Sequence, residues 1–253
     1  MVNFKGYQEN PNVLLHAASG SAGNFAVVNK FGHNSDIDTA AEETVWDGGG
    51  DYPWSSLTSA QALEIVSSDV NDTAAGTGAR TVEVQGLDSD YGVQTETVTL
   101  NGTTAVDLTN TYLRVFRLKV LTAGSGGENA GIITLRLDGA GATVGQITAA
   151  NNQSLMAVYT IPAGKTALMT SYYASLNRSV TALCDIKIWV RPEGQVFQIK
   201  HWNTIDSSSV GIVSHSFNPH FKIPSKCDLY ISADTSANNT AVSAGFDLLL
   251  IND

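Results

Sequence analysis

The sequence is short of charge, and its few cations are scattered. Only 15% of the residues are charged, the formal net charge is −10, and no cluster of five or more Lys and Arg residues occurs. Nucleic acid binding needs cations that displace counterions from phosphates, and docking on an anionic membrane needs cations as well. We therefore expect neither nucleic acid nor membrane as a partner. The negative charge suits solubility or a basic protein partner.

Cysteine, secretory signals and long apolar runs are also scarce. Cys184 and Cys227 are too few and too far apart for a disulfide scaffold, and their apolar neighbours predict two buried, reduced thiols. The amino terminus lacks a basic segment followed by an apolar one, and no apolar run of about 18 residues occurs. We expect a protein that is made and kept in a cytoplasm.

The sequence does contain apolar residues in regular alternation with polar ones. Hydrophobic residues make up 43% of the chain, enough for a core. From Arg80 onward the period is two, as in 133–138 and in 185–191, where Lys187 and Arg191 fall on the outer face. Turn residues separate these stretches, with no amphipathic helix between them. The pattern predicts an all-β fold, an antiparallel β-sandwich of the jelly-roll or a related Greek-key kind.

Residues 1–56 differ from the rest of the chain. They show no sustained alternation and include Trp46, Tyr52 and Trp54 around three consecutive glycines. Three glycines do not form a regular element by themselves, whereas the aromatic rings favour burial. We predict an extended amino-terminal arm over 1–56, which lies across its own surface or a neighbour's, and a β-sandwich domain over 57–253.

Two stretches allow two interpretations each. Residues 58–69 fit a helix that begins with a capping box or a strand, and we favour the strand. In 112–121 the cations fall on both faces, with Arg114 on one face and Arg117 and Lys119 on the other. Either a β-bulge shifts the phase, which we favour, or a neighbouring subunit covers one of these cations.

Several fragments imitate catalytic or metal-binding motifs. Asp88 and Asp90 match two positions of a calcium loop, but Gly92 is out of place and no distal Glu follows, so a hairpin turn is favoured. The glycine-containing stretches 139–146 and 162–166 lack the spacing of nucleotide-binding loops and predict turns. The chain has five histidines, at positions 16, 33, 201, 215 and 220, with no zinc-ligand spacing. No nucleophile elbow is present, and we predict neither enzyme activity nor a cofactor.

Several phrases resemble a family of virion structural proteins from tailed phages, chiefly aquatic ones. They are ETVWDGGGDYPW, SSDVNDTAAGTGARTVEVQGLDSDY, ETVTLNGTTAV, YTIPAGKTALMTSYYAS and AGFDLLLIND, and the likeness spans about 40–253. The resemblance implies a particle component without enzyme activity: a capsid decoration or cement protein, or a fibre-like component of head or tail. It implies a virion location after assembly in the host cytoplasm. It transfers no functional residue.

Contact residues follow from this hypothesis. A decoration protein grips a lattice, and aromatic side chains carry much of the energy of an interface. We predict contacts to the major capsid protein and to the other subunits of a homotrimer through five aromatics: Trp46, Tyr52, Trp54, Trp189 and Trp202. The alternative is a tail or head fibre module that binds a host surface glycan at Trp189 and the Lys200–Asn203 stretch. A hydrolase is the least favoured hypothesis.

Overall fold

The fold is described for most of the chain. A computed structural model describes residues 16, 19–20, 23–177, 181–209 and 211–253. Over these residues it contains sixteen β-strands and one short 3-10 helix, and every strand pairing is antiparallel. The predicted all-β, antiparallel class is confirmed. No helix in the described part of the chain is long and apolar enough to cross a membrane.

The strands differ widely in length. In chain order they are β1 (Phe25–Ile37), β2 (Glu43–Thr44), β3 (Leu63–Ser67), β4 (Ala79–Leu87), β5 (Val93–Thr99), β6 (Val106–Asp107), β7 (Arg114–Ala123), β8 (Ile133–Leu137), β9 (Thr143–Ile147), β10 (Val158–Thr160), β11 (Lys165–Asn177), β12 (Leu183–Arg191), β13 (Gln198–Asp206), β14 (Ile212–Ile223), β15 (Asp228–Thr235) and β16 (Thr240–Asn252). The 3-10 helix, Trp54–Ser56, lies between β2 and β3.

Two sheets enclose the first hydrophobic core. One has the strand order β1-β16-β11-β14, and the other has the order β10-β15-β12-β13, with β2 also paired to β15. The alternation predicted from the sequence fills this core from both sheets. Its fully buried members include Ile186, Ile231, Phe246, Tyr172 and Met169. We call these two sheets the body.

The chain between β2 and β10 forms a second unit, which we call the insert. Its two sheets have the orders β6-β3-β8-β9 and β5-β4-β7. A second core fills the space between them and reaches Val158 and Tyr230 of the body. The chain passes from the body into the insert near Val45 and returns to the body near Ala157. These two points are adjacent, since the Ala157 N–H donates to the Val45 carbonyl at 3.0 Å. β1 passes this junction so closely that a Cβ at Gly32 would lie 2.0 Å from the Val45 oxygen.

Both ambiguous stretches are resolved by the structure. Residues 63–67 form strand β3, as favoured. Between Gln85 and Gly86 of β4, the partners on β7 step from Arg117 to Val115. Phe116 is therefore an extra residue in β7, and the predicted bulge is confirmed.

The predicted arm is described only in part, because residues 1–15 lie outside the described residues. Its described part contacts the same chain: β1 pairs with β16, and β2 pairs with β15. Trp46 and Tyr52 belong to the second core. The division of the chain at residues 56 and 57 stays a prediction.

Candidate interaction surface

Two of the five predicted contact residues are interior residues. Trp46 and Tyr52 are each 2% exposed. The Trp46 indole donates to the Gly50 carbonyl at 3.0 Å, and the Tyr52 hydroxyl donates to the Val115 carbonyl at 3.1 Å. Burial raises the pKa of Tyr52. In this conformation both rings stabilise the insert, and neither reaches a surface where a partner could touch it.

Trp54 lies over the outer face of the body, among rings and cations. Its ring centroid is 5.2 Å from that of Phe197 and 5.8 Å from that of Tyr230. The guanidinium carbons of Arg114 and Arg191 lie 5.5 Å and 5.4 Å from its ring centroid. These cation–π contacts hold Trp54 against the body. The side chain of Trp54 is half-buried.

The carboxylate of Asp228 joins insert to body. Arg114 of β7 reaches it with Nε at 2.7 Å and Nη2 at 3.0 Å, and Arg191 adds Nη2 at 2.7 Å. Thr160 donates to the same carboxylate at 2.6 Å. Both the Arg114 and Asp228 side chains are nearly inaccessible to solvent. The chain therefore covers Arg114 itself, with no need for a neighbouring subunit.

Glu42 also binds polar groups of its own chain, and it covers part of the outer face of the body. It accepts hydrogen bonds from Lys187, from Ser232 and, at 2.8 Å, from the Trp189 indole. Burial alone would raise the pKa of Glu42, but these hydrogen bonds, led by that from Lys187, hold it below its ordinary value. Lys187 lies on the outer face, as predicted, yet it is only 8% exposed because Glu42 covers it. Trp189 is half-buried and stacks on Tyr230.

Trp202 is the most exposed of the five predicted contact residues. It is 51% exposed, and its ring lies 4.6 Å from the Lys187 Nζ. Ile199 of the same strand, Val196 just before it and Ile212 at the start of β14 are exposed as well, so four of the ten large apolar side chains exposed in the described residues fall in 196–212. Grouped exposed apolar residues mark interaction sites more often than scattered ones do. This region is the candidate interaction surface.

Rings close the gap between the two sheets beneath this surface. His201 of β13 and His215 of β14 have ring centroids 4.3 Å apart, and the Tyr172 hydroxyl lies 2.6 Å from the His201 Nδ1. Phe217 packs against both histidines. Burial, followed by the neighbouring His215, lowers the pKa of His201. No local sequence pattern predicts this cluster, because its members come from three separate strands.

In each of the two candidate metal sites, a carboxylate is engaged in other contacts. The Asp88 carboxylate accepts the backbone N–H groups of Asp90 and Gly92, each at 2.8 Å, which confirms the turn of the β4–β5 hairpin. Glu64, Asp107 and Asp138 approach one another closely enough to share an ion. However, Arg136 already neutralises Glu64 through a 2.6 Å contact.

A polar cleft of about 550 Å³ lies between body and insert. His33, Asp36, Glu43 and Asp47 line it. Burial raises the pKa of Asp47 to about 7, and burial lowers the pKa of the nearby Lys30 to about 7. The Lys30 ammonium donates to the Phe116 carbonyl. These shifts have a common cause, the removal of charge from water.

Comparisons with known proteins gave only distant likenesses. No family model matches the sequence, and no curated protein matches it. A structure of the infectious bursal disease virus Gx strain is 10% identical, covers 90% of this chain and 72% of its own, and has a TM-score of 0.26. The VP2 subviral particle of infectious bursal disease virus is 12% identical, with the same coverage and a TM-score of 0.24. Scores this low do not establish a common fold.

Proposed function

We propose that this protein is a structural component of a virus particle, without enzyme activity, and that its body is a jelly roll. The observation that carries the proposal is the pairing of eight strands, β1 and β10–β16. The first pairs with the last, the second with the seventh, the third with the sixth and the fourth with the fifth. A long antiparallel ribbon that folds over on itself produces this order, and viral capsid domains use it repeatedly.

The second support is the distribution of contacts. Charged side chains on the outer face of the body form ion pairs within the chain: Asp228 binds Arg114 and Arg191, and Glu42 binds Lys187. Of the ten large apolar side chains exposed in the described residues, four lie in or beside β13 and β14. An accessible group of apolar side chains suits a protein that works by contact with other subunits.

The finer proposal is a decoration or cement protein of a phage head. It would bind the major capsid protein, form a homotrimer and reside in the virion after assembly in the host cytoplasm. The sequence phrases that resemble phage structural proteins support this choice. Trp202 is the best of the five predicted contact residues, because it is accessible without unfolding.

Cryo-electron microscopy of the protein mixed with capsid shells of its own virus tests the proposal. We expect regular extra density at three-fold or quasi-three-fold positions. Trp202→Ala should reduce the occupancy of these positions while the variant stays folded. Trp189→Ala is a poor control, because it removes the hydrogen bonds of the indole to Glu42 and Ser232. Val70→Ala is a better control, because it shortens an exposed apolar side chain on the insert. Bare shells would contradict the proposal.

A second candidate function, glycan binding by a fibre module, is favoured by one observation. The exposed Trp202 ring lies near Thr204 of the same strand, whose hydroxyl donates to Asp185 at 2.5 Å. Sugars stack on accessible aromatic rings and hydrogen bond to nearby carboxylates and hydroxyls. A glycan array probed with the wild type and with Trp202→Ala tests this candidate. A signal that Trp202→Ala abolishes would favour it, and a blank array would count against it.

A further inference from the structure

We infer that the outer edges of β13 and β14 bind the acidic surface of a second copy of this chain. The inference rests on the proposed function and deepens it, because it names the surface through which subunits meet. It depends on three observations: the charge of these strands, their unpaired edges, and the apolar side chains they expose.

The two strands are the part of an acidic protein that is poorest in acids. Residues 194–227 contain one Asp or Glu, Asp206 at the end of β13, although the chain has 24 of them. The same stretch holds three of the five histidines and three lysines, Lys200, Lys222 and Lys226. The rest of the chain contains eleven Lys and Arg residues and 23 Asp and Glu residues. The edge is therefore complementary in charge to most of the surface of its own chain.

Both strands end a sheet. Among the described residues, β13 pairs with β12 alone and β14 pairs with β11 alone. Each strand therefore has one row of backbone N–H and C=O groups that its own sheet does not use, and another polypeptide can pair with such a row. A glycan offers no matching row of backbone groups. This favours a protein as the occupant.

Apolar side chains make the edge more than an electrostatic patch. Val196 is 73% exposed, Ile212 is 56% exposed, and Trp202 of β13 is 51% exposed. Lys200 of β13 and Lys222 of β14 are exposed as well. Burial of the apolar groups supplies affinity, while the lysines select an acidic partner and its orientation.

A contact between a basic edge and an acidic surface joins two different patches. Such a contact is heterologous, so it repeats head to tail and forms a ring when the rotation between successive copies closes. A two-fold dimer built from the edges alone would place one basic edge against another. The inference therefore predicts head-to-tail association, and the proposed homotrimer is the ring that closes after three copies.

Sedimentation velocity of the purified full chain at about 0.05 M and about 0.5 M NaCl tests the inference. We expect an oligomer at low salt and weaker association at high salt, because exposed charges are screened. Lys200→Glu and Lys222→Glu should each raise the dissociation constant about tenfold or more, as should Trp202→Ala. Lys165→Glu, the same charge reversal at the start of β11, should change it less than about twofold.

The outcomes separate the inference from the proposed function. A wild type that is monomeric at both salt concentrations, or an oligomer that Lys200→Glu and Lys222→Glu leave intact, overturns the inference. A monomer that still decorates capsid shells overturns the inference and the proposed homotrimer, and it leaves the proposed binding to the capsid intact. An oligomer that depends on the edge but leaves shells bare overturns only the proposed function. Thermal unfolding of each variant, expected to match the wild type, excludes misfolding as the cause of lost association.

Discussion

At the scale of single residues, two tryptophans of this chain show how burial decides a role. Trp46 and Trp202 both stand in polar or glycine-rich sequence, and both were predicted to contact partners. The structure buries Trp46 in the insert and leaves Trp202 half exposed on β13. A residue's type indicates that it favours contact, but the fold decides whether that contact lies inside the molecule.

The two tryptophans should therefore differ in substitution experiments. Trp46→Ala leaves a cavity and removes an indole hydrogen bond, so we expect it to lower the free energy of unfolding by about 3–5 kcal/mol. Trp202→Ala should lower it by less than about 1 kcal/mol, because the ring is largely in solvent already. Urea unfolding at one pH measures both values. Equal losses would contradict the assignment of Trp46 to the core and of Trp202 to the surface.

Lys30 carries a second prediction at this scale. Burial lowers its pKa from 10.5 to about 7, so between these values the unfolded chain binds a proton that the folded chain does not. Stability from this group therefore rises with pH above about 7. Between pH 7 and pH 9 the gain is on the order of 2–3 kcal/mol at most.

The difference between the wild type and Lys30→Met isolates this contribution from the other groups that titrate. Urea unfolding of both proteins at pH 7, 8 and 9 provides the measurement. We expect the advantage of Lys30→Met to be largest at pH 7 and to shrink toward pH 9. A difference that does not vary with pH would mean that Lys30 keeps its ordinary pKa.

At the scale of elements, alternation carried most of the sequence-based prediction. It identified buried positions such as Val82 and Val84, and it marked the bulge in β7 through the misplaced cations. It did not identify the partners of those cations. Arg114 meets Asp228, and Lys187 meets Glu42, across more than a hundred residues of chain. Local periodicity contains no information about which distant strands become neighbours.

The ring cluster between β13 and β14 makes this pair of elements sensitive to acid. His201 has a lowered pKa in the folded chain, against 6.5 for its ordinary value, so the unfolded chain takes up its proton first as the pH falls. Tyr172 faces it from β11 and His215 from β14, and neither supplies a negative charge near neutral pH. Stability from this group should therefore decrease as the pH falls through and below about 6.5.

Thermal unfolding between pH 7.5 and pH 5.5 tests this prediction with a matched pair of variants. The loss of melting temperature on acidification should be smaller in His201→Gln than in the wild type. His220→Gln changes an exposed histidine whose ring contacts only the Phe217 carbonyl among the described contacts, and it should behave as the wild type does. Equal acid sensitivity in all three proteins would contradict a role for His201.

At the scale of the whole molecule, one carboxylate couples the two cores. Asp228→Asn would leave the buried cation of Arg114 without a full charge partner, and breaking a buried ion pair costs about 3–5 kcal/mol. Glu193→Gln, which removes an exposed partner of Lys226, should cost less than about 1 kcal/mol. Urea unfolding followed by tryptophan fluorescence measures both. A loss below about 1 kcal/mol for Asp228→Asn would show that the two cores do not depend on this contact.

The pairing of β1 with β16 also determines when the chain can fold. In the part of the chain that the structure describes, β1 pairs with β16 alone, and Phe25 lies opposite Ile251. At ribosomal rates of about 5–20 residues per second, β1 waits on the order of ten to fifty seconds for that partner. A chain that stops before β16 leaves both β1 and β11 without their shared neighbour, so incomplete translation products of this protein should be substrates for proteolysis and not subunits for assembly.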